Sequence, residues 1–266
     1  MSSDQLAGRT AYISGGTSGI NLGIAKLMAD RGANILVFGR DPDKAARAAA
    51  GIRAATGRTI LDGSADVRDP AAIAELFRRA QGEIGTPDIV IAGAAGNFMA
   101  PATAISPNGF KTVVDIDLLG TYNVFRSAFD LGLRPGASLI AITAPQGARP
   151  HPFQAHVCAA KAGVNMVVRC LALEWGQAGI RVNAIAPGPI EGTEGVDRMA
   201  PTEADKARWV QTTPLRRFGT VGDIAEAAAF LSSDAAAYVT GAIFDCDGGM
   251  QLGDASLDML ALPKRA

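Results

Sequence analysis

The sequence predicts an α/β fold in which a doubly wound parallel sheet of about seven strands is covered by helices on both faces. Short apolar runs of strand length alternate with longer segments of helical periodicity along almost the whole chain. Consecutive parallel strands need crossover connections, and helices that serve as crossovers bury both faces of the sheet. Several runs contain no charged residue, as expected for strands covered on both sides.

Seven apolar runs have the length and composition of buried strands. The predicted strands are residues 11–14, 35–38, 59–61 with the following step at 65–67, 89–92, 139–142, 180–185 and 242–244.

Helices are predicted between these runs. Asp41 and Asp69 each precede a proline, so a side-chain acceptor stands at the N-cap and a fixed φ at the first helical position. Ser106 and Pro107 open a long helix that is expected to reach about residue 129. The remaining helices are expected over residues 24–29, 156–175 and 221–231.

The alternation runs nearly end to end, so we predict one domain over residues 1–266 rather than two. Only the segment 191–219 interrupts the alternation of strands and helices; it has mixed charge and contains Trp209 and two prolines. A long insertion after a late strand is typical of a lid over a substrate. A solvated surface excursion is the alternative.

Composition excludes several classes of protein. The net charge is −1 and 48% of residues are hydrophobic, which disfavours disorder and gives no chain-wide reason to bind nucleic acid. The three cysteines lack metal-ligand spacing, so we expect buried free thiols and no metal. No apolar run reaches the ~18 residues that span a bilayer, and no signal-peptide pattern is present. We therefore expect a cytoplasmic protein without nucleic-acid or membrane partners.

A glycine-rich turn joins the first strand to the first helix, where residues 14–21 read Ser-Gly-Gly-Thr-Ser-Gly-Ile-Asn. Glycines let backbone N–H groups approach a pyrophosphate, and the helix N-terminus adds partial positive charge. An ordinary strand–helix turn is the alternative, but the position after the first strand favours a dinucleotide site. The predicted cofactor contacts in this turn are Gly15, Thr17, Ser18, Gly19 and Ile20.

Arg40 is the first charged residue after the second strand. An acidic residue there would accept hydrogen bonds from a ribose 2′-hydroxyl, whereas a guanidinium suits a 2′-phosphate. The sequence therefore favours NADP(H) over NAD(H). The alternative is that Arg40 pairs on the surface with Asp41 or Asp43.

Further motifs follow the glycine turn in a fixed order. They are Asp66-Val67, Ala94-Ala95-Gly96, Lys161, Pro187-Gly188 and Asp247-Gly248-Gly249. This ordered set resembles the short-chain dehydrogenase/reductase family over essentially the whole chain, and the resemblance implies a Rossmann-type fold. The resemblance implies that Asp66 and Val67 hold the adenine and that Ala94 lines the cofactor groove. It places Pro187, Gly188 and Ile190 at the nicotinamide carboxamide, Lys161 at the nicotinamide ribose and Thr193 at the phosphates. Thr143 is a further predicted cofactor contact.

One residue of the glycine turn departs from the family pattern. In the family the glycine-rich turn ends in Gly-Ile-Gly, whereas this chain has Asn21 in place of the last glycine. That glycine permits close packing of the helix on the strand. We expect the Asn21 side chain to be accommodated by a small shift or by capping the helix.

The usual catalytic pair of the family is missing. The family places a tyrosine four residues before the lysine and a serine about thirteen before the tyrosine. Here those positions hold Val157 and Ala144, which cannot donate a proton, and all three tyrosines lie elsewhere. Ordinary carbonyl reduction has therefore lost its general acid.

Lys161 and Asp117 remain as candidate catalytic residues. The resemblance implies that Lys161 binds the nicotinamide ribose and adds positive charge near developing negative charge; a solvent-facing lysine is the alternative. Asp117 stands where the family has an asparagine, beside Leu118 and Leu119. Burial and the positive charge of Lys161 act on this carboxyl in opposite senses, so Asp117 is a candidate proton relay through water. A carboxylate merely satisfied by a partner is the alternative.

A longer set of motifs resembles one branch of the family, the 2,4-dienoyl-CoA reductases, and especially the peroxisomal type. They include residues 94–98, 110–117, 154–156, 187–195 and 238–242. The resemblance implies that Asp117 and Lys161 are catalytic. We also predict that Asn97, Phe98 and His156 bind the substrate, although a histidine at a helix start is often a local cap.

This resemblance implies reduction of a conjugated acyl thioester. Hydride from NADPH adds to the δ carbon of a 2,4-dienoyl-CoA, and a water held by Asp117 protonates the α carbon to leave a 3-enoyl-CoA. A reductase of another enone or ketone with the same fold is one alternative. A cofactor-binding protein with little catalysis is the other, because the tyrosine and serine are missing.

Members of the family usually form tetramers through two long helices and the last strand, here around 110–129, 156–175 and 242–244. We therefore expect a homotetramer. The peroxisomal branch usually ends in a targeting tripeptide, whereas this chain ends Pro-Lys-Arg-Ala, which agrees with the expected cytoplasmic location.

Overall fold

The computed structural model describes residues 5–257 and contains one parallel sheet with the strand order β3-β2-β1-β4-β5-β6-β7. The strands are β1 Thr10–Ser14, β2 Asn34–Gly39, β3 Ile60–Ser64, β4 Ile89–Ala92, β5 Ser138–Ile142, β6 Arg181–Pro187 and β7 Ile243–Cys246. The order reverses between β1 and β4, so a crevice opens at their carboxyl ends, where doubly wound sheets bind ligands. The predicted fold class is confirmed.

Nine α-helices lie among the described residues. They are α1 Gly19–Asp30, α2 Pro42–Thr56, α3 Pro70–Ile84, α4 Pro107–Val114, α5 Gly120–Asp130, α6 Ala155–Trp175, α7 Glu194–Met199, α8 Glu203–Thr212 and α9 Val221–Ser232. The three proline-marked starts begin as predicted: Asp41, Asp69 and Ser106 each accept a backbone N–H of the first turn.

The two faces of the sheet have separate cores. Alternate residues of β2 show this, because Ile35 and Val37 join the cluster under α1, α2 and α9, whereas Leu36 and Phe38 join the cluster under α3, α5 and α6. The central strands β1, β4 and β6 are therefore buried on both faces, as their uninterrupted apolar runs predict, whereas the edge strands β3 and β7 are partly exposed.

The long helix predicted from Ser106 to about residue 129 is interrupted. A π turn, Asp115–Leu119, joins α4 to α5. The extra backbone residue of a π turn is invisible to hydrophobic periodicity, so the sequence predicted one regular helix. Such turns often occur at functional sites.

The cysteines are less buried than the sequence predicts. Cys170 is exposed on α6, and Cys158 and Cys246 are only partly buried, so the prediction of buried thiols is wrong at Cys170 and holds only in part at the other two. Helix α6 with the turn after it is long and apolar enough to cross a membrane, but half of its most apolar window is buried inside the fold. Its packing on β6 and on the π turn identifies it as a core helix.

Candidate active site

A cavity of about 500 Å³ opens at the carboxyl ends of β4, β5 and β6. Its floor includes Ile142 and Pro187 at the strand ends, and helix α6 forms one wall. The segment 191–219, which holds α7 and α8, contributes Met199 and Trp209 to the opposite wall. The segment predicted as a lid therefore borders the cavity, and its function as a lid stays a prediction.

Asp117 and Lys161 form a buried ion pair in this cavity. The Lys161 ammonium lies 3.1 Å from Asp117 Oδ2, and the side chains are 6% and 1% exposed. The Gly96 N–H donates to Asp117 Oδ1 at 2.6 Å, and Lys161 Nζ also donates to the Ile142 carbonyl at 3.1 Å. Lys161 thus has a third N–H available for a ligand in the cavity.

The π turn places Asp117 in the wall. Asp117 is its central residue, and the Thr121 hydroxyl donates to the Asp117 carbonyl at 2.7 Å. At Gly120, the first residue of α5, a Cβ atom would lie 2.6 Å from Val67 Cγ2. The helix that carries Asp117 therefore packs directly on the predicted adenine-binding loop.

The cavity has no tyrosine. Val157 and Ala144, at the positions where the family pattern has tyrosine and serine, both line it. Tyr12 lies in the core and donates to the Gly85 carbonyl, whereas Tyr122 and Tyr238 are on the surface. A phenol therefore cannot serve as the proton donor in this cavity.

The glycine turn has room for a dinucleotide. Gly15 has φ +67°, and a Cβ there would meet the backbone of Gly93 and Ala94 at 3.0 Å. Gly19 has φ +52° and open space above it, and the N-cap residue Ser18 makes no side-chain cap. The exposed N-terminus of α1 therefore presents uncapped N–H groups, the arrangement that suits a pyrophosphate. Ile20, the next residue of α1, lines the cavity.

Asn21 is accommodated in a way that the sequence did not predict. Its side chain does not cap α1 but donates from Nδ2 to the Gly93 carbonyl at 2.8 Å, across to the segment after β4. A Cβ on Gly93 would lie 2.2 Å from the Asn21 amide. The larger side chain at Asn21 is thus matched by a glycine opposite.

The end of β2 is basic. Arg40 is exposed, and no ion pair joins it to Asp41 or Asp43 within the part of the chain that is described; Asp41 instead caps α2. Asp66 forms an ion pair with Arg68, and hydrogen bonding to that guanidinium lowers the pKa of Asp66 to about 2. Sequence reasoning had given Arg68 no part in this region.

The other predicted cofactor contacts border the same space. Thr143, Pro187, Gly188, Ile190 and Thr193 all line the cavity. A Cβ on Gly188 would lie 2.6 Å from Asp247 Cα. The Asp247-Gly248-Gly249 motif therefore packs closely against the Pro187-Gly188 motif at the end of β6. Thr143 donates to Asn165 Oδ1, and Thr193 to the Ile190 carbonyl, each at 2.7 Å.

The three predicted substrate contacts differ in position. Asn97 lines the cavity. Phe98 does not line the cavity; it is 38% exposed and packs on His156 with ring centroids 4.1 Å apart. His156 is fully buried behind it and does not cap the helix; neither ring nitrogen makes a well-formed hydrogen bond within residues 5–257. Burial lowers the pKa of His156, while the Phe98 backbone and Asp117 act against that change.

Several lining residues were missed by the sequence analysis. Arg149 and His151 come from the loop before α6, and Met250 comes from the segment after β7. Arg149 also donates to the backbone carbonyls of Met250 and Gln251, which holds that segment against the cavity. These residues come from loops far apart in sequence, so no local pattern could have identified them.

The fold and the open glycine turn define a doubly wound dinucleotide-binding protein. The family model described as Enoyl-(Acyl carrier protein) reductase matches residues 15–251. The peroxisomal 2,4-dienoyl-CoA reductase of Pongo abelii is 43% identical over 250 residues, covering 94% of this chain and 86% of the relative. That of Danio rerio is 40% identical over 256 residues, covering 96% and 85%.

Among solved structures, a gluconate 5-dehydrogenase from Burkholderia cenocepacia in complex with NADP and tartrate is 29% identical, with a TM-score of 0.89. The alignment covers 94% of this chain and 98% of that chain. With these matches over nearly its full length, the chain belongs to the short-chain dehydrogenase/reductase family.

Proposed function

We propose that this protein is an NADPH-dependent reductase of conjugated acyl thioesters that converts 2,4-dienoyl-CoA into 3-enoyl-CoA. The observation that carries the proposal is the buried Asp117–Lys161 pair in a cavity where Val157 replaces the tyrosine. Conjugate reduction needs its proton at a carbon remote from the hydride acceptor, so a tyrosine aimed at a carbonyl oxygen is dispensable. Relatives about 40% identical carry this activity in their names.

NADP(H) is the cofactor that the binding residues fit. The uncapped start of α1 and the glycines of the turn would hold the pyrophosphate, and the Arg40 guanidinium would hold the 2′-phosphate. Asp66 and Val67 would border the adenine. When bound, the cofactor supplies the hydride that reaches the δ carbon of the substrate.

Lys161 has two functions, which are to bind the nicotinamide ribose and to stabilise negative charge in the cavity. Its bonds to Asp117 and to the Ile142 carbonyl fix the ammonium, which leaves one N–H to bind the ribose. Its charge lies in a wall from which most water is excluded, so it stabilises negative charge that develops in the cavity more strongly than an exposed lysine would.

Asp117 holds the water that delivers the proton. The carboxylate is fixed by the Gly96 N–H and by Lys161, yet it still borders the cavity. The electron pair displaced from the δ carbon leaves a dienolate with charge on the thioester oxygen. A water bound to Asp117 then protonates the α carbon, and the hydroxide that remains takes up a proton from solvent. The remaining double bond lies between the β and γ carbons.

Absorbance spectra test the proposed reaction. Wild-type protein with NADPH and a medium-chain 2,4-dienoyl-CoA should lose the NADPH and dienoyl absorbances at equal molar rates, and an NADH control should be much slower. The same protein is offered simple ketones and cyclic enones. Turnover of those substrates, with the dienoyl-CoA left unchanged, would refute the proposal in favour of another reductase activity.

We also propose a homotetramer. Leu119, Tyr122, Met166 and Leu173 are large and exposed on the π turn, α5 and α6, and Phe244 is exposed on edge strand β7. Apolar side chains grouped on these elements suit an interface. Light scattering should give four times the 27.3 kDa chain mass, and a monomer mass would contradict the assembly.

A cytoplasmic location stays a prediction; several relatives are named peroxisomal.

A further inference from the structure

Three side-chain amides form a hydrogen-bonded chain in the cavity wall. Gln146 Nε2 donates to Gln154 Oε1 at 3.0 Å, and Gln154 Nε2 donates to Asn97 Oδ1 at 3.1 Å. Gln146 is 8% exposed and Gln154 is 2% exposed, so water does not readily replace these bonds. Because unpaired buried amides are costly, each amide in the chain restricts the orientation of the next.

The chain fixes which atom of Asn97 faces the substrate. Its Oδ1 is turned towards Gln154, whereas its Nδ2 makes no hydrogen bond to any residue within 5–257. Asn97 lines the cavity, but Gln154 does not. The Asn97 amide therefore offers the cavity an N–H donor rather than a carbonyl acceptor.

The backbone around Asn97 is also held on both sides. Arg198 donates to the Asn97 carbonyl at 3.2 Å, and the Ala100 N–H donates to the Phe153 carbonyl at 3.0 Å. Phe98 stacks on buried His156. With the main chain held on both sides, the hydrogen bond from Gln154 restrains the orientation of the Asn97 amide.

We propose that Gln154, itself oriented by Gln146, is a positioning residue that keeps the Asn97 NH₂ directed at the thioester oxygen of the substrate. Negative charge develops on that oxygen when the δ carbon accepts hydride, and a preoriented donor stabilises it. This inference rests on the proposed function, since it needs an acyl thioester in the cavity.

Two isosteric variants test the orientation. In Gln154→Glu the ionised carboxylate accepts from Asn97 Nδ2 and turns Asn97 Oδ1 towards the cavity. In Gln146→Glu the carboxylate instead accepts from Gln154 Nε2, and the reversed Gln154 reverses Asn97 in turn. Both variants should lower kcat with the dienoyl-CoA by about 100-fold at a pH where the new carboxylate is ionised. NADPH affinity, measured by fluorescence, should not change.

Double variants separate positioning from a structural defect. In an Asn97→Ala background neither glutamate should lower kcat by more than about twofold, because both act through Asn97. Gln81→Glu is the matched control: Gln81 donates to Thr86 and to the Leu131 carbonyl away from the cavity, and its kcat should equal that of the wild type.

The outcomes distinguish the two proposals. A wild type without dienoyl-CoA turnover would overturn both the function and this inference. An active wild type with unchanged kcat in Gln154→Glu would overturn only the inference, because that result is expected if the amide chain runs in the opposite sense. Losses that persist undiminished in the Asn97→Ala background would likewise overturn it.

Discussion

At the scale of single residues, the proposed chemistry depends on Asp117, because no other carboxylate within residues 5–257 pairs with Lys161. Its two oxygens accept from the Gly96 N–H and pair with the Lys161 ammonium. The residue type and its partner could be predicted from the sequence. The bond to Gly96 could not, since it depends on how the loop after β4 meets the π turn.

We expect Asp117→Asn to lower kcat by about 10²–10⁴-fold, the usual contribution of a positioned proton-transfer group. NADPH affinity should change little, because Lys161 keeps its bond to the Ile142 carbonyl. Asp115→Asn is the matched control, since Asp115 pairs with Lys111 on the surface and should not affect the rate. Equal rates for Asp117→Asn and the wild type would exclude Asp117 from proton transfer.

Arg40 sets the expected cofactor preference. Arg40→Ala should weaken NADPH binding by about tenfold or more, because it removes charged hydrogen bonds to the 2′-phosphate. NADH binding should change little. Arg78→Ala, which removes an exposed guanidinium paired with Glu75, serves as the control. Similar losses for both cofactors in Arg40→Ala would show that Arg40 does not read the 2′-phosphate.

At the scale of elements, the π turn is held by its contact with the loop after β3. A Cβ at Gly120 would lie 2.6 Å from Val67 Cγ2, so Gly120→Ala should lower the free energy of unfolding by about 1–3 kcal/mol and also reduce kcat. Gly82→Ala in α3 meets nothing within 4 Å and should instead stabilise by about 0.5–1 kcal/mol. Denaturant unfolding measures both, and a neutral Gly120→Ala would contradict the packing.

The capping residues at the start of α9 should make the free energy of unfolding depend on pH in the acidic range. Hydrogen bonds from Arg217 and from Thr220 hold the pKa of Asp223 well below its usual range. A lowered folded-state pKa contributes stability that is present above the unfolded value of ~3.9 and is lost as the pH falls through the folded value.

Asp223→Asn should therefore lower the melting temperature by a few degrees, about 2–4 °C, at neutral pH. The difference from the wild type should shrink at about pH 3, because the carboxyl of the unfolded chain then takes up a proton while that of the folded protein is still ionised. Circular dichroism melts at both pH values measure this. A difference that stays constant between them would show that the Asp223 charge contributes nothing.

At the scale of the whole molecule, the strand–helix alternation was sufficient to predict the sheet. The apolar runs at β4 and β5 carry no competing signal, and Asp41 and Asp69 mark their helices unambiguously. The sequence also predicts the position of those site residues that belong to a motif at the end of a strand, because parallel strands bring their carboxyl ends to one edge of the sheet.

The features of the site that the sequence does not predict depend on contacts between distant segments of the chain. Nothing near Asn21 in sequence indicates that Gly93 lies opposite it, and nothing near Arg149 indicates that it holds the segment after β7. The π turn likewise needs one extra backbone residue that leaves the apolar pattern intact. Such features depend on tertiary packing, which a single sequence does not display.

The position of isotopes in the product shows which carbon receives the hydride and which receives the proton, so this is the measurement to make first. With NADPH deuterated at the transferred position, we expect deuterium at the δ carbon of the 3-enoyl-CoA. In heavy water we expect deuterium at the α carbon, formed much more slowly by Asp117→Asn. Deuterium from NADPH at any other carbon, or solvent deuterium at the γ rather than the α carbon, would refute the proposed reaction.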